Sequence, residues 1–135
     1  MSYHPEINHI QMDCGHLSFI ANSNIILLRI EANYYMEQAD SLSVRKNLRI
    51  LAAQKESPVY LLVDMRQIKG ASAAGRKVFA DKEEPLAEVC ALWVKSPLSK
   101  LLGNFLLGIN KPVFPAAVFK QKEKAIAWIQ EQIKE

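Results

Sequence analysis

Apolar and polar positions along the chain change period several times, and each change marks an element. Ile7 to Met12 and Leu17 to Ala21 partly alternate, and Asn22, Ser23 and Asn24 supply turn chemistry, which predicts an N-terminal hairpin or meander. Ile25 to Ile30 is almost unbroken apolar with one arginine, the pattern of a strand covered on both faces. MEQADSLSVRKNLRILAAQK then shifts to helical spacing, with Val44, Leu48, Leu51 and Ala52 on one face. Its acids, Glu37 and Asp40, come early and Arg45, Lys46, Arg49 and Lys55 come later, an order that suits the helix dipole. Pro58 forces an extended approach into VYLLVD, a second buried strand, so strand, helix and strand make a crossover unit.

The chain next turns through Gly70, and a short helix beginning at Ser72 repeats Ala74, Val78 and Phe79 at helical spacing up to Asp81, Glu83, Glu84 and the breaker Pro85. Val89 to Val94 reads as a third buried strand. Ser96 and Pro97 form a helix start, one capping and the other pre-setting the first turn, for a helix with Leu98, Leu101, Leu102, Phe105, Leu106 and Ile109 on one face. FPAAVF gives a fourth short strand, and KEKAIAWIQEQIKE closes the chain with Ile126, Ile129 and Ile133 on one stripe beside Trp128. The expected fold class is α/β: a single domain over residues 1–135, with a mixed sheet of four to six strands and helices packed against it. No repeat, linker or low-complexity segment interrupts it.

Composition narrows the partners. The 17 basic and 14 acidic side chains leave a net charge of +3 dispersed along the sequence, which is no nucleic-acid footprint. Cys14 and Cys90 are the only cysteines, and neither a disulfide framework nor a zinc site is suggested, which points to a reducing, cytoplasmic setting. The N-terminus lacks a basic start followed by an apolar stretch, and no window reaches the roughly 18 apolar residues of a membrane span, so a soluble protein is expected.

Candidate chemistry is sparse. The junction from Val59 to Phe79 has the place in an open α/β sheet where ligands and partners meet the fold. It carries no phosphate-binding glycine pattern, nucleophile elbow or metal-ligand spacing. Asp64 ends a buried strand with no second carboxylate or histidine nearby in sequence, so it reads as a brace for its own turn, as the alternative to an acid-base role. His4, His9, Cys14 and His16 gather in the first strands, but their spacing matches no recurrent ligand pattern, so no metal site and no cofactor are expected. Cys14 has no evident means of lowering its pKa. Trp93 and Trp128 read as core volume, and Asp81, Glu83 and Glu84 as a solvated helix end, with an acidic spot biasing self-association as the alternative.

The phrases DMRQIKGAS, LWVKSPLSKLLGNFLLG and FPAAVFKQKEKAIAWI, in this order of elements, resemble the SpoIIAA-like group, related to STAS domains and grouped with lipid-binding Sec14-type modules. The resemblance covers nearly everything from Ile25 onward and implies a SpoIIAA/STAS-like fold and a bacterial source. In sporulation relatives, the turn and helix after the second buried strand form a docking edge with a serine phosphorylated by a partner kinase. Carried onto this chain, that serine is Ser72, although the relatives' Asp-Ser-Ser-Gly run is here Gly70, Ala71, Ser72, Ala73 and Ala74. The functional expectation is a non-enzymatic regulatory or interaction module. Asp64, Ser72, Ala73, Arg76 and Lys77 would contact a protein partner or a second copy. The alternative is a carrier or sensor of a small apolar, lipid-like molecule held by Leu98, Leu101, Leu102, Phe105 and Leu106 under the helix from Ser96 to Ile109, where Gly103 and Gly108 each weaken the helix by about 1 kcal/mol.

Overall fold

The apolar run Ile25–Ile30 becomes the third strand of a six-stranded sheet, and its alternation decides which layer each side chain joins. The computed structural model describes residues 7–96 and 112–134. In chain order its elements are β1 (His9–Met12), β2 (Gly15–Phe19), β3 (Ile25–Ile30), β4 (Tyr35–Met36), α1 (Gln38–Gln54), β5 (Tyr60–Asp64), β6 (Gly70–Ala71), α2 (Ala73–Phe79), β7 (Val89–Trp93), β8 (Ala116–Phe119) and α3 (Lys122–Ile133). The sheet order is β1-β2-β3-β5-β7-β8. The first three strands are antiparallel neighbours, whereas β3, β5, β7 and β8 run parallel. Parallel neighbours need a crossover, which α1 supplies between β3 and β5 and α2 between β5 and β7. The link from β7 to β8 passes through residues 97–111, so the expected helix from Ser96 to Ile109 lies, apart from Ser96, outside the described residues.

Successive side chains of a strand point to opposite faces. Ile26, Leu28, Leu61, Val63, Cys90 and Leu92 therefore join Val44, Leu48 and Leu51 of α1 and Val78 and Phe79 of α2 in one core. Ile25, Leu27, Leu62, Val89 and Ala91 face the other way and meet Ala125 and Ile129 of α3. Burial on both faces is why the central strands read as unbroken apolar runs. Each fully buried leucine or isoleucine contributes roughly 1.5–3 kcal/mol of hydrophobic stabilisation. In α3 the contact is carried by Ala125 and Ile129, while Ile126 is half-buried and Ile133 exposed.

Polar groups fix the helix ends. The backbone N–H of Glu37 donates to Asp40 Oδ2 at 2.9 Å in the first turn of α1, and the Tyr34 hydroxyl donates to Asp40 Oδ1 at 2.7 Å. That second bond pushes the Tyr34 phenol up to about 12, because the ionised phenolate cannot donate. At its far end α1 stops with Glu56 at φ 49, a left-handed residue, and Ser57 N–H returning to Ala52 O before Pro58.

The acids after α2 are not simply a solvated helix end. Arg45 reaches Asp81 at 3.1 Å and Glu84 at 3.2 Å, and Arg49 reaches Glu84 at 3.3 Å, so two of the three acids clamp the segment after α2 onto α1. Backbone N–H groups of Glu84 and Glu83, with Arg45 after them, hold the Asp81 carboxyl below its usual range. Gly70 also departs from expectation, as a strand position and not the centre of a turn. With Ala71 it pairs with Tyr35 and Met36 in a two-stranded parallel ribbon.

Candidate functional site

Asp64 closes β5 at the carboxyl end of the sheet, in register with Arg29 of β3 on one side and Trp93 of β7 on the other. Its phase matches Leu62, so it faces the α3 side. It is 6% exposed, which makes satisfaction of its oxygens obligatory. Arg66 donates to it through Nε at 2.9 Å and Nη2 at 3.0 Å, a bidentate fork, and the Arg66 backbone N–H adds a contact at 3.3 Å. Arg29 Nε lies 3.7 Å from Oδ2. The hydrogen bonds that Arg66 donates to Asp64 push the guanidinium pKa up, and the guanidinium lies over the Trp93 ring, 3.7 Å from its centroid. Asp64 therefore braces its turn, and it also holds a guanidinium in a fixed plane. Sequence reasoning missed Arg29, Arg66 and Trp93 as a unit. The signal was there: Arg29 and Asp64 are the lone charges of two apolar runs, each at the fifth position of its strand.

Beyond Arg66 the chain crosses to the other side of the sheet. Asn33 N–H donates to Gln67 O, Lys69 N–H to Tyr34 O and Ser72 N–H to Met36 O, so the approach to α2 is sewn to the segment before α1. Ser72 caps α2, its Oγ accepting from Gly75 N–H at 3.0 Å. Gly75 is buried where an added Cβ would lie 3.1 Å from Met36 O and 3.2 Å from Ser72 Oγ. Arg76 folds back, Nη1 donating to Ala71 O at 2.6 Å, while its Nε is buried without a hydrogen bond. Ala73, Ala74 and Lys77 are exposed, and Tyr35, paired with Gly70, is 46% exposed. Ser72, Ala73, Arg76 and Lys77 thus belong to one edge. Asp64 points to the opposite face of the sheet and is not part of it.

The remaining candidates separate. The His9 and His16 rings approach to 5.2 Å on adjacent strands, while Cys14 is buried in the core beneath α1. His4 lies outside the described residues, among which no three His, Cys, Asp or Glu side chains gather to hold a metal. Burial, with Asp40 and Asp13 nearby, pushes the Cys14 thiol up to about 11, and burial alone pushes Cys90 up to about 12. Trp128 packs against Phe119 with ring centroids 5.7 Å apart. Leu98, Leu101, Leu102, Phe105 and Leu106 lie outside the described residues. An apolar cavity of about 30 Å³, lined by residues including Met36, Met65, Phe79, Leu92 and Phe114, lies on the α1 and α2 side. Among the described residues no helix is long and apolar enough to cross a membrane.

This arrangement of a mixed six-stranded sheet and helices on both faces is the SpoIIAA-like fold. An uncharacterized protein of the DUF3478 family from Shewanella loihica PV-4, with a SpoIIAA-like fold, matches 96% of this chain over 98% of its own, with a TM-score of 0.58 and 13% identity. The anti-sigma factor antagonist SpoIIAA in its unphosphorylated form matches 84% of this chain over 96% of its own, with a TM-score of 0.57 and 12% identity. No curated protein matches the sequence. Residues 19–133 match the model of the domain of unknown function DUF7793, and the chain belongs to that family.

Proposed function

We propose that residues 1–135 form one non-enzymatic, cytoplasmic regulatory module that docks a protein partner through the edge from Gly70 to Lys77. The observation that carries this reading is the surface of small exposed side chains at the head of α2. Ala73 and Ala74 are exposed, the half-exposed ring of Tyr35 lies against Gly70 on the same edge, and backbone bonds from Ser72 and Lys69 to the neighbouring segment hold the edge in place. Such a surface lets a partner approach the backbone closely and supplies an aromatic anchor. The likeness in fold to a protein named as an anti-sigma factor antagonist supports the same reading, as an analogy. A phosphate on Ser72 would put about two negative charges at this edge and displace the cap to Gly75. Against an enzymatic role, both Asp64 oxygens accept from the Arg66 guanidinium and burial keeps both thiols protonated. Two unpaired, buried cysteines suit a reducing compartment. Among the described residues, the apolar cavity of about 30 Å³ on the α1 and α2 side, far below the roughly 300–1,000 Å³ of ligand sites, adds nothing to the lipid-carrier alternative, whose own residues from Leu98 to Leu106 lie outside them.

The test uses Ala73→Glu, a substitution at an exposed first-turn position where an acid suits the helix dipole. The thermal midpoint is expected to stay within about 2 °C of wild type, while a partner cross-linked in extracts of the source organism is lost. Size-exclusion mass measurement separates a foreign partner from a second copy. A set of cross-linked species identical for wild type and Ala73→Glu overturns the edge.

A further inference from the structure

The side of the sheet away from the docking edge collects positive charge. Past the ends of β7 and β8, a groove of about 430 Å³ is lined by Arg66, Trp93, Lys95, Lys120, Lys122 and Glu123, among others. Four cations there meet two carboxylates, Glu123 and the Asp64 that Arg66 already binds, so the groove keeps an excess of positive charge carried by the lysines. Lys95, Lys120 and Lys122 make no ion pair with any described carboxylate. Like charges gathered this way repel one another, and an anion in the groove relieves that repulsion.

Arg66 differs from the three lysines in being built into the fold. Asp64 takes its Nε and one Nη2 hydrogen, and the guanidinium carbon lies over the Trp93 ring, 3.7 Å from its centroid. Three of its five N–H donors are left for another acceptor. A buried carboxylate paired in this way adds little net stability, because its desolvation offsets the attraction. What it does provide is a fixed fork, and a fixed fork suits a planar or tetrahedral oxyanion. The position, outside the carboxyl ends of parallel strands, is where open α/β sheets place ligands.

We propose that this groove binds a multiply charged phosphate group, with Arg66 as its anchor and Lys95, Lys120 and Lys122 neutralising the remaining charge. A single carboxylate would satisfy Arg66 and leave the three lysines unneutralised. The volume falls within the range of small-molecule sites and exceeds that of a lone phosphate. Arg66 occupies a face of Trp93, so recognition comes from the phosphate and not from stacking of a ring on that face. The phosphate is supplied either by a free small molecule or by a lipid headgroup.

The test titrates inorganic pyrophosphate into the full chain, followed by calorimetry and by the amide and indole resonances of Trp93. One saturable site is expected, with shifts at Arg66, Trp93, Lys95 and Lys122. Lys120→Gln combined with Lys122→Gln touches no buried group and is expected to weaken binding by about tenfold or more. Arg66→Lys keeps the charge, loses the fork, and is expected to weaken it as well. Co-sedimentation with phosphatidylglycerol vesicles that pyrophosphate displaces assigns the phosphate to a headgroup, and pyrophosphate binding without co-sedimentation assigns it to a free molecule. Failure to bind pyrophosphate at millimolar concentrations, or affinity unchanged in the double lysine variant, overturns the site.

Discussion

At the scale of single residues, environment rather than identity decides what the reactive groups do. Cys14 and Cys90 carry a nucleophile's atom in a place where its charged form is penalised. Both are expected to resist a disulfide reagent at pH 8 in the native protein and to react fully once denatured; rapid stoichiometric labelling of the folded protein would sink this account. The same shifts fix a pH effect. Folded pKa values of about 11 and 12 lie above an unfolded value near 9, so the unfolded chain releases these protons first as pH rises. Stability from the thiols is therefore complete below about pH 9 and is expected to fall between pH 9 and about 12, a fall that Cys14→Ala with Cys90→Ala removes. Burial of Cys90 was legible from its apolar run, but the link between Asp40 and Cys14 was not, because those residues meet only in three dimensions.

At the scale of elements, Gly15 shows how closely two strands approach. It pairs with Ile30 at the start of β2, and a Cβ added there would land on the Arg29 carbonyl oxygen. Gly15→Ala must push β2 from β3, and a destabilisation of about 1–3 kcal/mol or more is expected in urea unfolding; a wild-type midpoint would mean the strands yield freely. Long periodic segments such as α1, and apolar runs such as β3 and β5, were legible because period and length are local properties. The ribbon of β4 and β6 was not, since strands of two residues have no period to read. Nor was the clamp of Arg45 on Asp81 and Glu84, which joins residues about 40 positions apart. The Ser72 cap could be read from sequence because an N-cap depends on neighbours three residues away.

At the scale of the whole molecule, the sheet sets an order of stability. The strands β3, β5 and β7 are flanked by strands on both sides and covered by apolar layers on both faces. β1 and β8 lie at the ends of the strand order, and β4 and β6 pair over two residues each. Amides whose opening exposes the most buried apolar surface exchange only with global unfolding, while those with few long-range partners open locally. In native-state hydrogen exchange, Leu62 and Ala91 are accordingly expected to report the full unfolding free energy, and β1 and the ribbon residues distinctly less. The hierarchy bears on function, because α2 enters the fold through the ribbon: the edge from Gly70 to Lys77 can adjust to a partner while the central strands stay closed. Ribbon amides protected as strongly as Leu62 would show that the edge is one cooperative unit with the core, and a partner would then have to fit it as it stands.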